Sequence, residues 1–209
     1  MSNKYLIRTI VLTFLSLLSS GEFCLAEVTT ETSAEEVVRH EWATPIEREG
    51  LPNLHKVSEE LYRGAQPTAE GMKELKKLGV KTVINLRAFH SDRDEIGETE
   101  LDYEHIPIPA WRLKEEHIIQ FLKLMTDKSR TPVFVHCMHG ADRTGAMSAI
   151  YRIVIEGWPK EEAIEEMTKG GFGFHKIWKN LIKFVEDLNI EEIKKKAGIE
   201  SKQDGSESE

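Results

Sequence analysis

The segment from residue 132 to residue 156 constrains the fold more than any other part of the chain. It begins with a short apolar run (PVFVH), continues through a glycine-containing stretch, and ends in a sequence whose apolar residues recur at helical spacing. β-Branched and aromatic residues predict a buried strand for the first part, and the periodicity predicts an amphipathic helix over 144–156. A strand, a loop and a helix in this order are typical of α/β domains.

Similar alternation continues on both sides of this segment. The other predicted strands cover residues 54–57, 60–63, 80–86 and 102–108, and the other predicted helices cover 67–78, 115–126, 159–169, 174–188 and 191–197. A charged loop is predicted over 88–99, where Asp92 is interpreted as a solvated side chain. The pattern predicts a mostly parallel central sheet flanked by helices.

Composition excludes several classes of protein. A chain of 209 residues suits one domain with short tails, and its 40% hydrophobic content excludes a wholly disordered chain. A net charge of −8 argues against a nucleic-acid partner. Two cysteines cannot form a disulfide scaffold, and no apolar run reaches the roughly 20 residues that span a bilayer.

The N-terminal residues have the three parts of a secretory signal peptide. Lys4 and Arg8 precede an apolar run over 10–18, and Ala26 ends a small-residue cleavage pattern. A buried helix or an uncleaved anchor is the alternative. Cleavage would give a periplasmic or secreted protein with no stable membrane span and Cys137 as its sole cysteine. We therefore divide the chain into a signal peptide (1–26), a polar linker (27–50), one domain (51–198) and a disordered acidic tail (199–209).

The stretch over 136–145 (HCMHGADRTG) carries the chemistry. A loop that opens a helix directs backbone N–H groups at one point, and the helix dipole adds positive potential there, which suits a phosphate dianion. Cys137 in this potential is expected to act as a thiolate nucleophile. Arg143 can grip two phosphate oxygens with its planar fork.

The other residues of the loop have supporting roles in this interpretation. Gly140 allows a tight curl with positive φ. The Thr144 hydroxyl can donate a hydrogen bond to the sulfur, and His136 orients the loop. A metal site at these closely spaced histidine and cysteine residues is disfavoured because it leaves the glycine and arginine unexplained. The substrate-binding residues are expected to be Met138, His139, Gly140, Ala141 and Arg143.

The pattern His-Cys-x-x-Gly-x-x-Arg-Thr-Gly resembles the signature of the cysteine-dependent protein-tyrosine and dual-specificity phosphatases. Residues 61–67 (LYRGAQP) and 79–87 (GVKTVINLR) are similar to the start of the compact atypical members from bacteria, plants and fungi. The resemblance covers residues 52–188. It implies a compact cysteine-phosphatase fold with a central sheet of four or five strands, no metal or organic cofactor, and phosphoester hydrolysis through a phosphocysteine. Phosphotyrosine, other phosphoproteins and small phosphoesters remain open as substrates, and we expect a monomer.

The chain departs from this family at the general acid, because the stretch 107–116 (PIPAWRLKEE) has no aspartate. Asp142 is the favoured replacement, since some lipid phosphatases and secreted bacterial phosphatases have an aspartate immediately before the arginine. Glu115 and Glu116 are the alternatives, and Asp142 would then only brace the loop. Two other functions also stay open: a phosphate-binding pseudophosphatase without turnover, and a sulfurtransferase of rhodanese type.

Overall fold

The computed structural model describes residues 40–199. The predicted signal peptide and nearly all of the predicted tail lie outside the described residues. The strands are β1 (Thr44–Pro45), β2 (His55–Lys56), β3 (Leu61–Gly64), β4 (Thr82–Arg87), β5 (Asp102–Ile108) and β6 (Val133–His136). The helices are α1 (Ala69–Lys77), α2 (Arg93–Ile96), α3 (Glu115–Thr126), α4 (Asp142–Val154), α5 (Lys160–Lys169), α6 (Lys179–Asp187) and α7 (Ile190–Ala197).

The six strands form one sheet in the order β1-β2-β3-β6-β4-β5. The neighbouring strands β3, β6, β4 and β5 are parallel to one another, and β2 and β1 are added antiparallel at the β3 edge. This confirms the predicted α/β fold with a mostly parallel sheet. The sheet has one strand more than the four or five expected, because β1 is only two residues long and has no apolar alternation that could predict it.

Helices cover both faces of the sheet. Val83 and Phe134 face α1 and α2, whereas their neighbours Ile84 and Val135 face a larger core built with α3 to α7. Adjacent residues of a strand point to opposite faces of the sheet. A strand covered on both faces, such as β4 or β6, therefore needs a continuous run of apolar residues. In residues 40–199 no helix is both long and apolar enough to cross a membrane.

The last part of the predicted linker is docked on the domain. The ring of His40 lies 2.8 Å from Glu162 and stacks on Trp158, and the backbone N of Ala43 donates to Glu166 at 2.7 Å. These contacts with α5 are polar, so no apolar pattern in the sequence could predict them. His40 and Ala43 are therefore in contact with the domain, and the predicted boundary at residue 51 stays a prediction.

Two segments differ from the predicted helices. α2 is a single turn within the stretch predicted to be a loop, and α6 begins at Lys179 instead of residue 174. The backbone N of His175 donates to the carboxylate of Asp142 at 2.8 Å, which holds this residue in a loop conformation. A tertiary contact has thus overridden helical periodicity here.

Candidate active site

Cys137 follows β6 directly, at the edge where the parallel strands end. β6 lies between β3 and β4, and His136 is level with Gly64 on one side and Asn85 on the other. Cys137 is a free thiol with 2% of its surface exposed. α4 begins at Asp142, so the intervening loop lies at the N-terminus of a 13-residue helix. In open α/β sheets this edge is where ligands usually bind.

Gly140 lets the loop pass close to β3. Its φ is +68°, and a Cβ added there would lie 2.4 Å from the carbonyl carbon of Gly64. Both the left-handed backbone conformation and the lack of space require glycine. The predicted positive φ is confirmed, although the close approach to Gly64 could not be derived from the sequence.

Arg63 supports the loop from beneath. Its side chain is buried, its Nη2 donates to the carbonyl O of Gly140 at 2.9 Å, and its guanidinium lies 3.7 Å from the ring centroid of Phe172. Burial lowers the pKa of Arg63 to about 10, while attraction to Glu166 and Cys137 opposes this shift. Arg63 therefore places a cation behind the nucleophile without contacting the solvent.

His136 is fixed by a partner that the sequence analysis did not identify. Its Nε2 lies 2.7 Å from Oδ2 of Asp92, its Nδ1 lies 3.3 Å from the carbonyl O of Cys137, and both side chains are fully buried. Burial raises the pKa of Asp92, but hydrogen bonds from His136 and Gln66 and the charge of His136 hold it below its usual value. The interpretation of Asp92 as a solvated loop residue was wrong.

Arg143 lies at the carboxyl ends of β4 and β5. Its Nη1 is 3.2 Å from the carbonyl O of Ile108 and 3.4 Å from that of Leu86. The side chain lines an open cleft of about 290 Å³. The cleft is bordered by Arg87, Ala88, Phe89, Pro109, Ala110, Trp111, Met138, Arg143 and Trp178. It thus combines two arginines with aromatic walls next to the loop.

The carboxylate of Asp142 is directed toward His175. Oδ1 accepts from the backbone N of His175 at 2.8 Å, and Oδ2 lies 2.9 Å from its Nδ1. The His139 ring is 5.6 Å from the His175 ring, so the contact lies on the rim of the loop. Asp142 is next to Arg143 in the chain but does not line the cleft.

The two glutamates lie in the first turn of α3. Oε2 of Glu115 is 2.7 Å from Nζ of Lys196, and Oε2 of Glu116 is 3.2 Å from Nζ of Lys114. Both side chains are exposed, and neither lines the cleft. The structure does not bring these candidate acids to the loop.

The hydroxyl of Thr144 is buried in the first turn of α4. Within residues 40–199 its Oγ1 has no hydrogen-bond partner, and the same holds for Oγ of Ser148 one turn later. A buried polar atom without a partner is rare in a folded protein. The hydroxyl of Thr144 is therefore uncommitted at the helix start, beside the loop.

Comparisons with known proteins agree with the motif. A family model described as DSP-PTPase phosphatase fused to NAD+ kinase matches residues 37–183. The dual specificity protein phosphatase TpbA of Pseudomonas aeruginosa is 34% identical over 143 residues, which are 68% of this chain and 65% of that protein. The chain thus spans slightly less than two thirds of the length of this curated relative.

Solved structures extend the similarity to the fold. The crystal structure of P. aeruginosa TpbA has 32% identity and a TM-score of 0.68, covering 75% of this chain and 96% of that one. A cysteine-to-serine variant of TpbA in complex with phosphotyrosine gives 31% identity, a TM-score of 0.67 and the same coverage. The Siw14 catalytic core, at 19% identity and a TM-score of 0.63, covering 74% of this chain and 95% of its own, shares the fold. The chain therefore belongs to the DSP-PTPase family, in its bacterial atypical dual-specificity branch.

Proposed function

We propose that the protein hydrolyses phosphate monoesters through a phosphocysteine intermediate. The observation that carries this proposal is the position of Cys137 between β6 and α4, in a loop that ends at Arg143 beside an open cleft. The N-terminus of α4 and the buried cation of Arg63 both add positive potential at this loop, which suits a phosphate dianion.

The proposed reaction has two steps. The sulfur of Cys137 attacks phosphorus as the bond to the leaving oxygen breaks, while Arg143 and the backbone N–H groups of the loop bind the three other oxygens. An acid protonates the leaving oxygen. Water then attacks the phosphocysteine, phosphate departs, and the sulfur leaves as a thiolate. Because the hydroxyl of Thr144 is uncommitted, it is suited to donate to this sulfur as the bond breaks.

Asp142 is the acid that we propose. None of the three acids lines the cleft, but Asp142 directly precedes Arg143 in the loop, whereas Glu115 and Glu116 are exposed in the first turn of α3 and paired with lysines. Its carboxylate contacts His175, so proton donation requires this contact to loosen when substrate enters. The alternative from the sequence, that Asp142 only braces the loop, remains a direct competitor.

The cleft favours an aryl phosphate among the possible substrates. Trp111 and Trp178 offer aromatic surface, while Arg87 and Arg143 offer positive charge. The relative TpbA has been crystallised with phosphotyrosine, which has this combination of a ring and a phosphate. Phosphotyrosine in a protein, or a small aryl phosphoester, is therefore the substrate class that we propose.

Two substitutions test this function. Cys137→Ser is expected to abolish hydrolysis of p-nitrophenyl phosphate while vanadate binding persists, because serine is a poor nucleophile in the same loop. Arg143→Lys is also expected to fail, because an ammonium cannot replace a bidentate fork. Wild-type protein that binds vanadate without turnover would indicate a pseudophosphatase. Transfer of sulfur from thiosulfate to cyanide would indicate a rhodanese-like activity, which His136 and the Arg143-Thr144-Gly145 sequence in the first turn of α4 disfavour.

We also propose export and cleavage after Ala26. The support is the charged, apolar and small-residue pattern over 1–26. N-terminal sequencing of protein from the periplasm or medium should give Glu27 as the first residue, and a full-length cytoplasmic chain would contradict the proposal. Light scattering of the mature protein tests the expected monomer.

A further inference from the structure

A second group of polar side chains lies on the side of Asp92 away from the loop over 137–143, which we call the catalytic loop, and none of them lines the cleft. Nε2 of His90 is 3.4 Å from Oδ1 of Asp92 and 3.4 Å from Oε1 of Glu95. The ligand atoms of these three residues all lie within 4.8 Å of one another. One imidazole nitrogen and two carboxylates therefore converge on one small volume.

Hydrogen bonds do not account for this convergence. Among the described residues, Nε2 of His90 and Oε2 of Glu95 are buried atoms without a hydrogen-bond partner. Nε2 of His90 has only ion-pair contacts at 3.4 Å with Asp92 and Glu95. Leaving a buried polar atom without a hydrogen bond costs about 1–3 kcal/mol, so the arrangement needs an explanation. A ligand that both atoms contact would supply it.

Asp92 has the capacity to take part. Its carboxylate is fully buried, Oδ2 accepts from His136, and Oδ1 accepts from Nε2 of Gln66 at 2.8 Å. A carboxylate oxygen has two acceptor positions, so Oδ1 keeps one for a further contact on the His90 side. The bonds from His136 and Gln66 fix the direction of this oxygen, as outer partners do for metal ligands.

The two 3.4 Å separations from Nε2 of His90 match the coordination of a small divalent ion. Zinc binds histidine nitrogen and carboxylate oxygen at about 2.0–2.2 Å with tetrahedral geometry, which places the ligand atoms about 3.3–3.5 Å apart. We propose that His90, Asp92 and Glu95 form a binding site for a divalent transition-metal ion of the zinc class, with water as the fourth ligand. The two carboxylates balance the charge of the ion, and the side chains of His90 and Glu95 are 30% and 27% exposed, which gives the ion access.

Such a site is coupled to the nucleophile through two residues. A cation on Oδ1 of Asp92 withdraws electron density from the carboxylate that binds His136, and Nδ1 of His136 faces the carbonyl O of Cys137. Occupation of the site is therefore expected to change the position of the catalytic loop and to inhibit hydrolysis. This consequence rests on the proposed function, whereas binding of the ion does not.

Calorimetric titration of Zn²⁺ into the full chain carrying both Cys24→Ser and Cys137→Ser tests binding, because this variant lacks the two thiols that would compete for the ion. We expect one ion per chain. His90→Ala and Glu95→Gln should each weaken binding at least about tenfold, by loss of a ligand. Asp94→Asn is the matched control, since it removes the same charge from the same turn and should leave binding unchanged. Equal affinities for Glu95→Gln and Asp94→Asn would overturn the proposal, as would binding only at millimolar Zn²⁺.

Inhibition is measured separately with the wild-type thiol present. Zn²⁺ at the proposed site should inhibit aryl phosphate hydrolysis, and His90→Ala should raise the inhibitory concentration at least about tenfold, matching its loss of affinity. Unchanged inhibition by Zn²⁺ in His90→Ala would show that the ion acts at Cys137. It would overturn the proposed coupling between the metal site and the catalytic loop. If the protein lacked phosphatase activity, the calorimetric result would still stand alone.

Discussion

The carboxylate of Asp142 binds His175 at two points, the backbone N at 2.8 Å and the ring Nδ1 at 2.9 Å. This contact joins the start of α4 to the loop that precedes α6, 33 residues later. It gives Asp142 a structural role in addition to the catalytic one that we propose. The two roles predict different results for the same substitution.

Asp142→Asn tests the acid role through the leaving group. Loss of a general acid costs about 10²–10⁴-fold in rate. The oxygen of p-nitrophenol has a low pKa and departs without a proton. The tyrosyl oxygen has a higher pKa and needs one. The kcat for phosphotyrosine should therefore fall far more than the kcat for p-nitrophenyl phosphate.

Three control variants distinguish the alternatives. Glu115→Gln and Glu116→Gln should leave the leaving-group dependence intact. His175→Ala removes the ring contact but retains the carboxylic acid, so it should affect both substrates equally. If Asp142→Asn also lowers both rates by the same factor, Asp142 is a brace and the acid lies elsewhere.

The catalytic loop was predictable because its signals are local. Cys137, Gly140 and Arg143 are spaced within one short stretch, and each residue type has a physical reason to be there. The helix at 115–126 was predicted with its observed bounds, since its apolar spacing is strong and its core contacts agree with it. Local sequence and tertiary packing favour the same structure in these segments.

The residues that support the loop were not predictable in the same way. Arg63 contacts Gly140 across 77 positions, and Asp92 contacts His136 across 44. Nothing near Asp92 in the sequence distinguishes it from Asp94, which is exposed in the same turn. These charges become buried only when distant strands pair, so their role depends on topology and not on local pattern.

Gly140→Ala is expected to lower the free energy of unfolding by more than backbone strain alone would. Alanine at positive φ costs about 1–2 kcal/mol. At Gly140 the added Cβ would also meet the backbone of Gly64 at 2.4 Å. Gly157→Ala is the matched control, since its φ is +77° and no atom lies within 4 Å of the added carbon. Urea unfolding should show the larger loss for Gly140→Ala, and equal losses would refute the packing argument.

Arg63→Gln should lower kcat through the loop and the nucleophile. A hydrogen bond from a charged donor is worth about 1.5–3 kcal/mol, which corresponds to roughly a tenfold or greater loss of rate. Alkylation of Cys137 by iodoacetamide at neutral pH should also slow, because a cation near the thiolate has been removed. Arg63→Lys should restore more of the alkylation rate than the glutamine variant. Unchanged alkylation in both variants would leave Arg63 with a packing role alone.

Glu166→Gln is expected to reduce stability without changing the catalytic loop directly. Both oxygens of Glu166 bind the buried guanidinium of Arg152 at 2.9 Å, and one also accepts from the backbone N of Ala43. Removing one partner of a buried ion pair costs about 3–5 kcal/mol, because the other charge stays buried. Glu165→Gln is the control on the same helix, since its pair with Lys169 is exposed and worth at most about 1 kcal/mol. The free energy of unfolding should fall by clearly more for Glu166→Gln than for Glu165→Gln. Similar values for the two variants would show that solvent or Glu156 compensates for the lost charge.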